Sequence, residues 1–579
     1  MTMIPNDHCA ARAAGTAPHW IAAACAALLA GCGGSGGSEP LPQLAAATGA
    51  PLAVCADLSS KFTFPNTTIT TVTAVAAGTL TVAGSPVGAH CQVRGEMFRR
   101  TSPQDSNSYA ISFEMRMPNS WNGRFFYQAN GGLDGNVGTA LGAIGGSAPN
   151  FSNALNMGFA VISSSAGHDT PGPAFGIDAQ ARLDYGYNAA MKLTPMAKSL
   201  IASAYGKGPD RSYFGGCSNG GRHTFVATTR LPEQYDGFLA GAPGYRLPLA
   251  ATANMFSAKQ LLKVPGTTVA DLSVAFPTAE RVTVSKAILA KCDALDGAID
   301  GIVQDVAACQ KAFDFTRDVP TCSGSRDGSC LTADQKTAFA PIFSGATDGS
   351  GKKFYAGLLY DAGISGASFA TWKFNASKNL DTGAVATVWG VPPISQTGFD
   401  GLAYLTSTSV DTMLASIAAT NSTYAESALS FMQPVNPSNL STLKNRGAKV
   451  MVYHGVSDPI FMHDDTVTWY ENLRNANNGD ASDFARLYPV PGMGHCAGGP
   501  ATDQFDMLTP LVNWVEKGLA PDSVLATARG LATAAGAANA DVPAGWAPSR
   551  TRPLCPYPKV ARLKAGFTDL ESANSFSCQ

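Results

Sequence analysis

Three short stretches carry residue types that can do chemistry together. The first is Gly216-Cys217-Ser218-Asn219-Gly220. This G-x-S-x-G pattern sits between a strand pattern ending at Tyr213-Phe214 and a helical one, the form of a nucleophile elbow. Glycines flank the serine because so sharp a turn has no room for a Cβ. Ser218 would stand clear at a helix N-terminus, with the backbone N–H of Asn219 facing a developing oxyanion. The second stretch, Val450 to Pro459, is an apolar run followed by a tight loop bearing Asp458. An acid there would orient an imidazole and stabilise its charged form. The third, Tyr488 to Pro500, places His495 in a glycine-rich loop, as a general base needs. Ser218, Asp458 and His495 follow the Ser…Asp…His chain order of an α/β-hydrolase. Singly, each stretch also reads as an ordinary turn, and His463 and Asp464 compete as acid or base.

The elements that must hold these residues are legible around them. Residues 50–120 are β-rich, with Tyr109 to Met117 alternating as a strand. Trp121 to Gly135 reads as a strand entering a glycine-rich loop, where Gly131 or Gly132 would supply the other oxyanion N–H. Gly158 to Ser165 is a buried-strand pattern, and His168 after it reads as structural. Leu183 to Tyr205 predicts a helix leading to the elbow strand, and Phe238 to Gly244 the next strand. This βαβ rhythm predicts an α/β fold, a doubly wound, mostly parallel sheet. Lys449 to His454 is the next strand, and residues 503–518 predict a closing helix. Residues 51–244 and 441–579 are thus expected to form the catalytic domain, and residues 245–440, which lack strand–helix alternation, an inserted lid. The lid carries Trp372, Phe374, Trp389, Phe399 and Tyr404. Some are expected over Ser218, with Trp389, Phe399 and Tyr404 taken as pocket candidates.

Composition bounds the setting. The chain has 579 residues, 45% apolar and 14% charged, with net charge −2. That balance gives no reason to expect a nucleic-acid partner. Thirteen cysteines without a C-x-x-C point to disulfides in an oxidising compartment. An apolar run over 21–30 ends in Leu29-Ala30-Gly31-Cys32, which resembles a bacterial lipobox. Residues 1–32 then form a lipoprotein-type signal and 33–50 a flexible tether. The expected protein is exported: an outer-membrane lipoprotein anchored through Cys32, or a periplasmic or secreted monomer after ordinary signal cleavage.

Cys292 to Val303 holds Asp293, Asp296 and Asp300 among glycines. Carboxylates and backbone carbonyls around a tight turn suit calcium. Asp293, Asp296 and Asp300 would supply side-chain oxygens, and Ala298 and Ile302 carbonyls. The spacing is not that of an EF-hand, and a solvated acidic turn is the plainer alternative. The ion would be structural. Cys292 and Cys309 bracket this loop, Cys322 and Cys330 a smaller one, and Cys55 and Cys91 could clamp the N-terminal strands.

If Ser218 bonds His495, the neighbouring Cys217 and Cys496 come within disulfide reach. Gly-Cys-Ser-Asn-Gly-Gly, the Asp-rich loop, His-Gly-Val-Ser-Asp and Gly-Met-Gly-His-Cys together resemble the tannase/feruloyl esterase family, from about Cys55 to the C-terminus. The resemblance implies an α/β-hydrolase core, a calcium-bearing lid and hydrolysis of small aromatic esters. It also implies five disulfides: Cys55–Cys91, Cys217–Cys496, Cys292–Cys309, Cys322–Cys330 and Cys555–Cys578. Cys9, Cys25 and Cys32 remain, in the signal segment. Family members that hydrolyse mono(2-hydroxyethyl) terephthalate are thought to hold its free carboxylate with a lid arginine. Here Val388 to Val410 contains no Arg or Lys, and Asp400 lies in that stretch. Neutral feruloyl- or galloyl-type esters are therefore the expected substrates, with terephthalate monoester hydrolysis as the alternative. An inactive surface-binding lipoprotein is the competing class.

Overall fold

The computed structural model describes residues 41–579 except 83–84, 145–152 and 530–537. Nine of the described strands build one sheet: β1 (Thr67–Val75), β2 (His90–Thr101), β3 (Ser108–Pro118), β4 (Arg124–Gln128), β5 (Ala160–Ser164), β6 (Arg211–Cys217), β7 (Gly237–Gly241), β8 (Lys449–Gly455) and β9 (Ala485–Val490). Their spatial order is β9-β8-β7-β6-β4-β5-β3-β2-β1. From β9 to β5 every neighbour is parallel, and from β5 to β1 every neighbour is antiparallel. The sequence follows this division. β7 and β8 are buried along their whole length, so both faces take apolar residues. The edge strand β1 alternates half-buried with exposed positions, as a strand with one wet face must.

Helices link the parallel strands: α1 (Ala189–Tyr205) precedes β6, and α2 (Asn219–Arg230) joins β6 to β7. Residues 242–448, between β7 and β8, add no strand to this sheet and are mainly helical, including α3 (Ala367–Asn379). After β8 come α4 (His463–Ala476), β9 and α5 (Leu508–Lys517).

Three predicted boundaries shift. β6 runs on to Cys217 instead of ending at Phe214, because Gly215, Gly216 and Cys217 continue the ladder with β7. The helix expected over 183–205 is broken by a π-turn at Asp184–Asn188 before α1. The closing helix begins at Leu508, since Gln504–Phe505 pairs in a small separate sheet. Among the described residues no helix is long and apolar enough to cross a membrane. The expected signal segment with Cys9, Cys25 and Cys32, and residues 33–40 of the expected tether, lie outside the described residues.

Candidate active site

The parallel strands deliver the three predicted residues to one end of the sheet. β6 ends at Cys217, and Ser218 turns the chain into α2 with φ 66° and ψ −126°. A non-glycine residue in that region costs roughly 1–3 kcal/mol and persists only where its surroundings enforce it. The enforcement is steric. A Cβ on Gly216 or on Gly220 would lie 2.4 Å from the Ala129 carbonyl oxygen. Only glycine lets the elbow press against the loop after β4.

Asp458 follows β8, and His495 lies in the loop after β9. His495 Nε2 is 2.8 Å from Ser218 Oγ, and His495 Nδ1 is 2.7 Å from Asp458 Oδ2. The other carboxylate oxygen, Oδ1, accepts the Ile460 and Phe461 N–H groups, each at 3.0 Å. Burial would push the Asp458 carboxyl up, but the imidazoles of His495 and His454 hold it well below the usual carboxylate range. Asp458 and His495 are buried, whereas Ser218 is half-exposed. Phe461 and Trp372 present edges to the His495 ring, with centroids 5.0 and 4.9 Å away. Cys217 and Cys496 are disulfide-bonded, Cα to Cα 6.2 Å, so elbow and histidine loop are joined covalently beside the reacting atoms. The bonds Cys55–Cys91, Cys292–Cys309, Cys322–Cys330 and Cys555–Cys578 are present too.

His454 has a place that sequence reasoning missed. Its Nε2 lies 3.3 Å from Asp458 Oδ2 and 2.9 Å from the Phe461 carbonyl, and its Nδ1 is 2.9 Å from Thr466 Oγ1. It closes the acid's second side. The signal was its position at the end of β8, four residues before Asp458. His463 stacks edge-on behind it and does not join the triad, and burial pushes its pKa down to about 3. Asp464, on the exposed side of α4, is not in the triad either.

The loop after β4 packs against the elbow. A Cβ on Gly131 would be 3.9 Å from Ser218 Cβ, which puts this loop directly against the elbow. The Asn219 N–H, at the start of α2, is one of the donors a helix leaves unpaired. The side chain of Asp134 ties the two together. Its Oδ2 accepts Asn219 Nδ2 at 2.9 Å and lies 2.8 Å from His223 Nε2, while its own N–H bonds the Gly131 carbonyl. Gly132, with φ 62°, turns the loop.

A cavity of about 550 Å³ opens at Ser218. Gly131, Gly132, Ser368, Trp372, His495 and Arg529 are among its walls. Trp389, Phe399 and Tyr404, the predicted pocket aromatics, are not among them. Trp389 is a core residue at 1% exposure, and Phe399 packs on Tyr404. Of the insertion's aromatics it is Trp372, on α3, that reaches the site. Arg529 is a cation outside the stretch where one had been sought, and its guanidinium is paired with the Asp503 carboxylate.

His168, read as structural, is buried, with Nε2 2.8 Å from the Leu133 carbonyl oxygen and its ring stacked on Phe175.

In the Asp-rich loop the three carboxylates have different partners. Asp300 is paired with buried Arg552, whose Nε lies 3.1 Å from Oδ2, and Arg550 donates to the Asp300 carbonyl. The C-terminal segment therefore supplies a counter-charge to Asp300. Asp293 accepts the Gly301 N–H with both oxygens. Asp296 Oδ1 takes the Ala298 N–H, but its buried Oδ2 has no partner. Burial, with the neighbouring Asp300 and Asp293 charges adding to it, pushes Asp296 up to about 7. Among the described residues no three His, Cys, Asp or Glu side chains converge as a metal cage. A cation at this loop would need backbone carbonyls beside Asp296.

Comparison with known proteins gives the family. The sequence profile described as tannase and feruloyl esterase matches residues 91–579. The chain is 38% identical over 539 residues to mono(2-hydroxyethyl) terephthalate hydrolase of Piscinibacter sakaiensis, covering 87% of each. It is 30% identical to a probable feruloyl esterase B-1 of Aspergillus fumigatus, covering 72% of this chain and 76% of that one. Its fold resembles the crystal structure of feruloyl esterase B from Aspergillus oryzae, with TM-score 0.72 and 23% identity over 91% of this chain and 99% of that one. An elbow serine, a histidine disulfide-tethered to it, and an acid after β8, on an α/β-hydrolase sheet, accordingly belong to a chain of the tannase and feruloyl esterase family.

Proposed function

We propose that this chain is a serine esterase that hydrolyses esters of aromatic carboxylic acids through an acyl-enzyme. The observation that carries this is the unbroken chain Ser218 Oγ–His495–Asp458, at 2.8 and 2.7 Å. His495 Nε2 takes the hydroxyl proton as Ser218 attacks the ester carbonyl. Asp458 holds the ring in the tautomer with Nδ1 protonated and stabilises the imidazolium that forms. The N–H of Asn219 and that of Gly131 or Gly132 receive the oxyanion. His495 then protonates the leaving alcohol. In the second half water, deprotonated by His495, attacks the acyl-enzyme, and the acid and free Ser218 are released. Trp372 offers an aromatic wall within a cavity of the size that encloses a small ligand.

Residues 245–440 serve as the lid in this reading. The acid moiety is neutral, feruloyl- or galloyl-like, because the pocket's cation, Arg529, already faces the Asp503 carboxylate. A second reading, hydrolysis of mono(2-hydroxyethyl) terephthalate, draws on the 38% identity and on Arg529 in the wall. Calcium, held by Asp296 with Asp293, Asp300 and the carbonyls of Ala298 and Ile302, would neutralise the loop and brace the lid. The unpartnered Asp296 oxygen supports it. The five disulfides favour an oxidising compartment, in keeping with export, lipid anchoring at Cys32 and a monomeric enzyme.

The test is a panel of methyl ferulate, a galloyl ester and mono(2-hydroxyethyl) terephthalate on purified protein and Ser218→Ala. Saturable, Ser218-dependent turnover of the neutral esters above the terephthalate monoester is expected. The opposite order selects the second reading. No Ser218-dependent turnover of any of them leaves the inactive binding protein.

A further inference from the structure

The insertion reaches beyond the pocket wall, to the loops that carry Asp458 and His495. Its Asp361 has a fully buried carboxylate. Oδ1 accepts the Ser457 hydroxyl, the Gly363 N–H at 2.9 Å and the Gly492 N–H at 3.0 Å, and Oδ2 faces the same Gly492 N–H at 3.2 Å. Ser457 immediately precedes Asp458, and Gly492 stands three residues before His495. One side chain of the insertion therefore bridges the loop of the acid and the loop of the base. The backbones meet as closely as the side chain implies. A Cβ on Gly363 would lie 2.4 Å from the Gly492 carbonyl oxygen and 2.5 Å from Ser457 Cβ. The turn that carries Asp361 is itself held. Arg281 donates to the carbonyls of Ile364, Ser365 and Gly366, and Ser285 to that of Ala362.

We propose that Asp361 is a positioning residue of the triad, setting the separation of Asp458 and His495 by gripping Ser457 and Gly492 at once. This rests on the serine-esterase reading. A fixed anchor on both loops limits the slack in a hydrogen bond that must be aligned when Ser218 loses its proton. Misplacement by about 1 Å at such a site costs on the order of a hundredfold in rate.

The experiment compares Asp361→Ala, Asp361→Asn and Ser457→Ala with the full-length wild type on a p-nitrophenyl ester, with far-UV circular dichroism and thermal unfolding as fold controls. Asp361→Ala should lower kcat about a hundredfold. Asp361→Asn keeps one acceptor oxygen for Ser457, Gly363 and Gly492 but puts an amide NH2 in place of the Oδ2 that also faces the Gly492 N–H, and should lose roughly tenfold. Ser457→Ala should lose about threefold. KM should stay within about twofold throughout, since none of these groups lines the pocket. A folded Asp361→Ala enzyme with wild-type kcat, or a loss expressed in KM, overturns the proposal. If both Asp361 variants fail to fold, Ser457→Ala decides alone, and an unchanged kcat overturns it. Absence of Ser218-dependent turnover in the wild type would instead refute the esterase reading itself.

Discussion

Two buried carboxylates, Asp458 and Asp296, lie in tight loops that the sequence marks plainly, and they end in opposite conditions. Asp458 has every lone-pair direction answered: two backbone N–H groups on Oδ1, and the imidazoles of His495 and His454 beside Oδ2. It is held ionised. Asp296 has one oxygen bonded and one bare, and burial drives it toward the neutral form. A loop that completes its own hydrogen bonds can present a charge to a reaction. A loop that leaves one buried oxygen without a partner keeps its carboxyl close to neutral.

The most severe way to break the complete site is Ser218→Ala. It removes the nucleophile and should reduce kcat by roughly 10⁴-fold or more, while the protein unfolds at nearly the wild-type temperature. Asp458→Asn should follow, with a loss of about 10³–10⁴-fold through the wrong imidazole tautomer. It also carries a pH signature. The native carboxyl lies below its ordinary range. Its stabilising contribution is therefore fully present above about pH 4 and is lost as pH falls through the lowered native pKa. Thermal unfolding of wild type and Asp458→Asn should differ most near neutrality and converge in strong acid. A constant difference across that window contradicts the assignment.

These contrasts explain which parts were readable in advance. The triad was legible because each member follows a strand of the parallel half, and a strand end fixes direction as well as position. Gly216 and Gly220 could be read as demands of a tight turn, but not as the points that meet the Ala129 carbonyl. His454 was not legible, since a histidine ending an apolar strand looks like core until the turn at Asp458 folds back on it. Nor was Trp372 separable from Trp389. Both lie in helical stretches of the insertion, and only packing sends one to His495 and the other into the core. Asp361 and Arg552 were missed for a common reason. Each acts on a loop far away in sequence, and neither carries a local pattern.

The tether between elbow and histidine loop should matter less than the triad itself. Reducing Cys217–Cys496 selectively, by the double change Cys217→Ser and Cys496→Ser, frees a closure of 279 residues. Disulfides commonly contribute about 2–4 kcal/mol. The double variant should unfold several degrees lower and retain the Ser218–His495 contact often enough for a loss of roughly tenfold in kcat. A kcat equal to that of wild type would show that noncovalent contacts alone, Asp361 among them, set the geometry.

The smallest effect belongs to the incomplete loop, and it separates Arg552 from an added ion as its counter-charge. Arg552 is covalently present and answers Asp300, and calcium would answer Asp296. If Arg552 suffices, chelation changes nothing. If the bare oxygen needs an ion, EDTA should lower the unfolding midpoint by several degrees, and calcium at about 100 times its dissociation constant should restore about 2.7 kcal/mol. Asp296→Asn should blunt that response while leaving kcat on a p-nitrophenyl ester near wild type, because the loop belongs to the insertion and not to the reacting atoms. A calcium response that survives intact in Asp296→Asn would move the ion to another set of oxygens, and a missing response in the wild type would leave the loop's counter-charge to arginine.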